Sequence, residues 1–113
     1  MCDKSLLNDI LEQVSDYSKT VFGDKLKSVT LYGSYARGDY DDESDIDLMI
    51  MVNLPISEIW SRRKEINHFC AELNLKHGIF ISPILQSTDH FNKWKDTVAF
   101  YRNVINDGVS IYG

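Results

Sequence analysis

Residues 45–52, DIDLMIMV, carry two aspartates at i and i+2 and then five apolar side chains in succession. Alternation that gives way to continuous hydrophobicity predicts a strand exposed at its first end and buried at its second. Other elements must cover that apolar end. The same strand is preceded by a concentration of charge: six carboxylates fall within nine positions, Asp39 to Asp47. A solvated acidic turn accounts for Asp39, Asp41, Asp42 and Glu43. It does not account for Asp45 and Asp47, which are committed to a strand that turns apolar at once.

The flanking patterns predict the covering elements. Residues 5–22 place Leu7, Ile10, Leu11, Val14, Tyr17 and Val21 at helical spacing, and GDK at 23–25 ends that helix. LKSVTLYG at 26–33 is short and β-branched and closes on glycine, which predicts a strand, with a short helix after Gly33. Pro55 and Ser57 open a longer helix with Ile59, Ile66, Phe69, Cys70 and Leu73 on one face. Gly78 precedes IFISPILQ, a third strand whose Pro83 predicts an edge position or a bulge. A last helix is predicted from about Thr88 to Ile105, with Phe91, Trp94, Val98, Tyr101 and Ile105 inward, stopping at Asn106 to Gly108. VSIY, which follows, is a candidate terminal strand. The order α-β-α-β-α-β-α predicts an α+β fold, helices packed on a small sheet, as a single domain over residues 1–113. A chain of this length supports one core and leaves nothing for a second substrate domain.

Charge and composition exclude several function classes. The net charge is −5, and only SRRK at 61–64 and KWK at 93–95 are locally basic, both on helices. Polynucleotide binding is driven by phosphate neutralisation, so a direct nucleic-acid substrate is not expected. No apolar run approaches the roughly 20 residues that span a bilayer. The N-terminus MCDKSLLNDI has neither a basic n-region nor an uninterrupted apolar stretch, so no signal peptide is expected. Cys2 and Cys70 make no disulfide framework, and Cys70 falls in an apolar helical pattern that predicts a buried thiol. Together these features predict a cytoplasmic address. His68, His77 and His90 show no metal-ligand spacing, and neither cysteine has a visible partner for nucleophilic catalysis.

The chemistry is concentrated between Gly33 and Asp47. A strand, then Gly33-Ser34, then the helix-compatible YARG turns free backbone N–H groups toward an incoming anion. Glycine allows a phosphate to approach the backbone closely. Asp45 and Asp47, two apart on a strand, point to the same side at about 6–7 Å spacing along the strand. Unpaired, they repel each other; a hard cation such as Mg2+ resolves the repulsion and takes its remaining ligands from substrate phosphates. A calcium loop is excluded, because the D-x-D-x-D-G spacing and its distal Glu are absent.

Gly33-Ser34, ten residues, then Asp45-Ile46-Asp47 resembles the G-S-x10-D-x-D signature of the DNA polymerase β-like nucleotidyltransferase superfamily. The fuller string GSYARGDYDDESDIDLMIMV is similar to the minimal nucleotidyltransferase (MNT) family, whose members run G-S-x-A-R-G…S-D-I-D-L. Length and element order fit that family over essentially the whole chain. The resemblance implies a nucleotidyltransferase fold, a mixed three-stranded sheet flanked by helices. It implies transfer of a nucleoside monophosphate from an NTP, here AMP from ATP, to an acceptor hydroxyl that attacks the α-phosphate. Many such proteins are antitoxins encoded beside a HEPN-domain ribonuclease toxin, so a HEPN partner is implied, and a homo-oligomer stays open. By position, Gly33 and Ser34 would hold the triphosphate, and Asp45 and Asp47 would ligate one or two Mg2+ ions and carry catalysis. Arg37 would contact phosphate or pair with the acidic loop, with the structural role favoured.

One departure qualifies the expected activity. Superfamily members usually supply a third carboxylate from the strand that corresponds here to GIFISPIL, yet no Asp or Glu lies between Glu72 and Asp89. Aligning the strand start puts Gly78 in that place, with His77 beside it. An NTP binder with slow transfer is expected, or one that borrows a carboxylate from Glu43, a partner or a second subunit. Three readings follow: an active transferase, a weakened nucleotide-binding module that neutralises its partner by contact, and a drug-modifying nucleotidyltransferase. The last is least favoured, because those enzymes carry an added helical domain.

Overall fold

The computed structural model describes residues 3–113, so Cys2 lies outside the described residues. Helix α1 spans Lys4–Phe22 and passes through a short 3-10 turn, Gly23–Lys25, into β1, Leu26–Tyr32. A four-residue helix α2, Ser34–Arg37, precedes the acidic loop and β2, Ile46–Val52. Then come α3, Ile56–His77; β3, Ile81–Ser87; α4, Thr88–Trp94; α5, Ala99–Asp107; and β4, Val109–Tyr112. No helix among the described residues is long and apolar enough to cross a membrane.

The sheet runs β3-β2-β1-β4. β1 is antiparallel to β2 and to β4, while β2 and β3 are parallel. The resemblance implied three strands; VSIY supplies the fourth, at the edge beside β1. β2 is central, and both of its faces are covered, as its unbroken apolar run requires. Ile46, Leu48, Ile50 and Val52 join the core formed with Leu7, Ile10, Leu11 and Val14 of α1 and Ile59, Ile66, Cys70 and Leu73 of α3. Met49 and Met51 face the other way and pack with Tyr101 and Val104 of α5 and with Tyr32. Asp47 shares that second face, because strand side chains alternate.

The ends of α3 show how the chain reaches β3. Pro55 precedes its first turn, and Gly78, at φ 63°, closes it in the left-handed conformation, donating its N–H to Asn74 O at 2.9 Å. The Asn74 side chain then accepts the Ile81 N–H at 2.8 Å. Pro83 sits on β3, an edge strand as expected, where a missing N–H leaves no central ladder broken.

The single helix predicted over 88–105 is two helices. α4 stops at Trp94, whose carbonyl accepts the Thr97 and Val98 N–H groups, and the chain restarts at Ala99. Asp96, Thr97 and Val98 are poor helix formers in succession, and the break turns α5 back against the sheet. The inward face changes with it. Tyr101 and Val104 are buried and Phe91 is half-buried, whereas Trp94, Val98 and Ile105 are 38%, 37% and 52% exposed.

Candidate active site

Tyr32, the last residue of β1, pairs with Asp47, so the turn after β1 lies directly beside this aspartate. Gly33 occupies φ 77°, and a Cβ built there would stand 2.4 Å from Asp47 Oδ2. Two requirements thus fall on one residue: a positive φ and an empty position where a carboxylate comes to rest. The Gly33 carbonyl accepts the Ala36 and Arg37 N–H groups at 3.1 and 3.0 Å, which folds Ser34–Arg37 into the tight turn of α2. Ser34 is half-buried at its start, and Tyr35 is buried and stacked on Tyr40 at 4.2 Å.

Asp45 and Asp47 stand together at the start of β2, Asp45 exposed and Asp47 half-buried. β2 begins at Ile46, one residue later than predicted, so Asp45 belongs to the approach to the strand. Asp47 holds its proton more tightly than an ordinary aspartate, first because burial disfavours its charge and then because Asp45 repels it; Arg37 opposes both. A carboxylate in this state gains from any cation placed between it and Asp45. The Tyr32 hydroxyl is pushed up to about 12 by burial and by Asp47, so it stays neutral. Phe100 of α5 meets the Tyr32 ring edge-on at 5.5 Å.

Arg37 makes two ion pairs, 3.1 Å to Asp39 and 3.1 Å to Asp107 at the end of α5. The favoured pairing with the acidic loop is present. Asp107, 70 residues further along the chain, was not visible as a partner in the sequence. Within the loop, Asp41 accepts the Glu43 N–H at 2.9 Å and the Ser44 hydroxyl at 3.2 Å, as a self-contained polar turn would.

Gly78, which aligning the strand start put in the place of the third carboxylate, is not on β3. It caps α3, three residues before β3 begins, and faces Asp45 and Glu43 across a cleft of about 210 Å3. The β3 residue level with Asp47 is Ser82. Beside Gly78, His77 buries its Nε2 without a hydrogen-bond partner among the described residues. Among those residues no group of three or more His, Cys, Asp or Glu side chains converges as a metal cluster. Asp45 and Asp47 nevertheless fit a cation that brings further ligands with it: they form a repelling pair beside a glycine whose missing Cβ makes room for the Asp47 carboxylate. Cys70 is a buried free thiol pushed up to about 11, inert as a nucleophile. His68 pairs with Glu72 on the surface of α3 at 3.0 Å.

Comparisons with known proteins add to this geometry. The family described as nucleotidyltransferase domain matches residues 7–105. Two proteins of Methanocaldococcus jannaschii, each provisionally named a protein adenylyltransferase, are 37% identical to the chain. One matches over 94 residues, 83% of this chain and 86% of its own, and the other over 109 residues, 91% and 99%. A third with the same provisional name is 43% identical over 84 residues, 74% of this chain and 56% of its own. Among solved structures, one described as a toxin-antitoxin with AMP-PNP superposes with a TM-score of 0.53 at 18% identity, covering 90% of this chain and 73% of that one. A second, the toxin-antitoxin MntA-HpeT with a tyrosine-to-alanine mutation, gives 0.51 at 18% identity and covers 90% and 72%. At that identity the two structures establish likeness of fold.

Proposed function

This chain belongs to the nucleotidyltransferase domain family, and on that premise we propose that it transfers AMP from ATP to a hydroxyl of a partner protein. Asp45 and Asp47 are the metal-binding and catalytic pair in this reading, and Gly33 and Ser34 receive the triphosphate. The observation that carries it is the seating of Asp47 against the Cα of Gly33, beside Asp45 and with raised proton affinity. That arrangement joins a carboxylate pair to a turn able to admit phosphate. A bound Mg2+ would neutralise the triphosphate and activate the attacking oxygen. Gly33 leaves the space in which the Asp47 carboxylate rests, next to the turn that would receive the phosphates. Arg37 ties Asp39 of the acidic loop to Asp107 of α5. The provisional names of the relatives support a protein acceptor and AMP as the moiety moved.

The partner in this reading is a toxin of the HEPN type, with the chain as its antitoxin. The two structural neighbours, both toxin-antitoxin structures, support a toxin partner. An ATP-dependent reaction also supports a cytoplasmic location, where ATP is held. The experiment is a melting titration with Mg-ATP. At a ligand concentration 100 times Kd the gain is about 2.7 kcal/mol, which for a domain of this size raises Tm by about 10 °C or more. Asp45→Asn combined with Asp47→Asn should remove the shift. Equal responses of wild type and double variant overturn the assignment.

That no third carboxylate converges on the pair among the described residues favours a second reading, a binding module that neutralises its partner by contact. Transfer of labelled AMP to the partner separates the two. Label on the partner supports the transferase, and neutralisation without label supports the module.

A further inference from the structure

β2 and β3 run parallel, with Asp47 level with Ser82, Leu48 with Pro83 and Met49 with Ile84. Side chains level on adjacent strands share a face about 5 Å apart, so Ser82 is the β3 side chain that flanks Asp47. The Phe80 carbonyl accepts the Ile46 N–H at 2.8 Å, which fixes this register at the end where the site lies. Pro83 restrains Ser82 to an extended backbone, so the side chain cannot swing to the other face without breaking the strand. No Asp or Glu occurs between Glu72 and Asp89. The corner of the site contributed by β3 is therefore a neutral hydroxyl.

We infer that Ser82 sets the cation affinity of the Asp45–Asp47 site, leaving it one negative charge short, so that a divalent cation is retained there only as its complex with a triphosphate. The inference rests on the reading of Asp45 and Asp47 given above. Two carboxylates are a small share of the ligands a divalent ion requires, and phosphate oxygens are the usual complement. Nucleotide and cation then raise each other's affinity by the same factor. A unit charge about 5 Å from a divalent ion is worth at least about tenfold in affinity even at the dielectric constant of water. Position 82 is where such a charge changes the behaviour of the site.

The test uses Mn2+ as the probe, titrated into the nucleotide-free full chain, with the preformed Mn–AMP-PNP complex in a parallel titration. Wild type is expected to bind Mn–AMP-PNP and to bind free Mn2+ at least about tenfold more weakly. Ser82→Asp should tighten free Mn2+ binding by about tenfold or more, while the size-matched neutral Ser82→Asn stays near wild type. Free Mn2+ bound by wild type as tightly as the complex overturns the inference. So does Ser82→Asp with unchanged free-ion affinity, or Ser82→Asn matching the gain of Ser82→Asp. If Ser82→Asp does not fold, Ser82→Cys titrated with Cd2+, which prefers thiolate, takes its place. A gain in Cd2+ affinity then supports the inference, and no gain overturns it. Asp47→Asn distinguishes the two levels of failure. If it still binds Mn–AMP-PNP, the site itself is misassigned; if it loses the complex while Ser82→Asp has no effect, only the role of Ser82 fails.

Discussion

At Gly33 one methyl group decides whether Asp47 can rest where it does. Its Cβ would fall 2.4 Å from Asp47 Oδ2, and its φ of 77° is strained for any L-residue. Gly33→Ala is expected to cost roughly 1 kcal/mol or more from backbone strain, lowering Tm by about 4–8 °C, and to abolish the Mg-ATP shift by displacing Asp47. Gly38 supplies the control. It has φ 88° with nothing within 4 Å of a built Cβ, so Gly38→Ala should lower Tm similarly and keep the ATP response. Melting curves of both variants with and without Mg-ATP check this; loss of the response in both, or in neither, counts against it. Asp47 gives a second prediction. Its folded state holds a proton more tightly than the unfolded chain, so stability falls as pH rises from about 4 through the raised folded value. At neutral pH its ionised carboxylate is therefore destabilising, and Asp47→Asn should raise the Tm of the nucleotide-free chain at pH 7 while removing its response to Mg-ATP. A lower Tm for that variant would contradict the origin assigned to the shift. The spacing of Gly33, Ser34, Asp45 and Asp47 was legible in the sequence because each pair is joined by a short segment whose geometry is local. Tyr32 beside Asp47 and Asp107 on Arg37 were not, because strand pairing and the return of α5 bring them in.

At the scale of elements, the strongly patterned segments formed as read: α1 and α3 bury the predicted stripes, with Tyr17 and Phe69 half-buried and stacked on each other at 4.2 Å. The last helix was misread because aromatic spacing continues across residues 95–98, while the break depends on weak propensity and on the sheet that α5 must reach. The start of β3 was misplaced for a related reason. Register between β2 and β3 is a property of the pair, and Gly78 looks like a strand start only until its role as the cap of α3 is seen. Asn74 controls that passage: its carbonyl accepts the Gly78 N–H, and its side chain accepts the Ile81 N–H on the open edge of β3. Asn74→Ala leaves the Ile81 donor unpaired. A loss of about 1 kcal/mol is expected, or about 4–8 °C in Tm, with faster amide exchange at Ile81 itself. An unchanged exchange rate there would show that the side-chain contact does not hold the strand edge.

For the whole molecule, the decisive question is what meets the face that bears Asp45 and Asp47. Phe100, at 36% exposure, leans on Tyr32, the strand neighbour of Asp47, and Trp94 and Val98 lie exposed at the α4–α5 turn close by in the chain. Aromatic side chains are enriched in the cores of protein interfaces, which makes this turn a candidate docking surface. A partner seated on this turn would cover apolar surface and bring a hydroxyl to the aspartate pair in one docking event. Co-expression with the product of the adjacent gene is expected to give a co-purifying complex. Trp94→Ala combined with Val98→Asp should weaken it by at least about tenfold, as loss of a buried aromatic anchor typically does. The same pair should leave the Mg-ATP melting shift of the isolated chain intact, because both residues lie at the α4–α5 turn, outside the segment Gly33–Asp47. Loss of the nucleotide response in this variant would mean that the turn supports the fold of the site. A complex of undiminished affinity would place the partner elsewhere, with the edge strand β4 as the next surface to test.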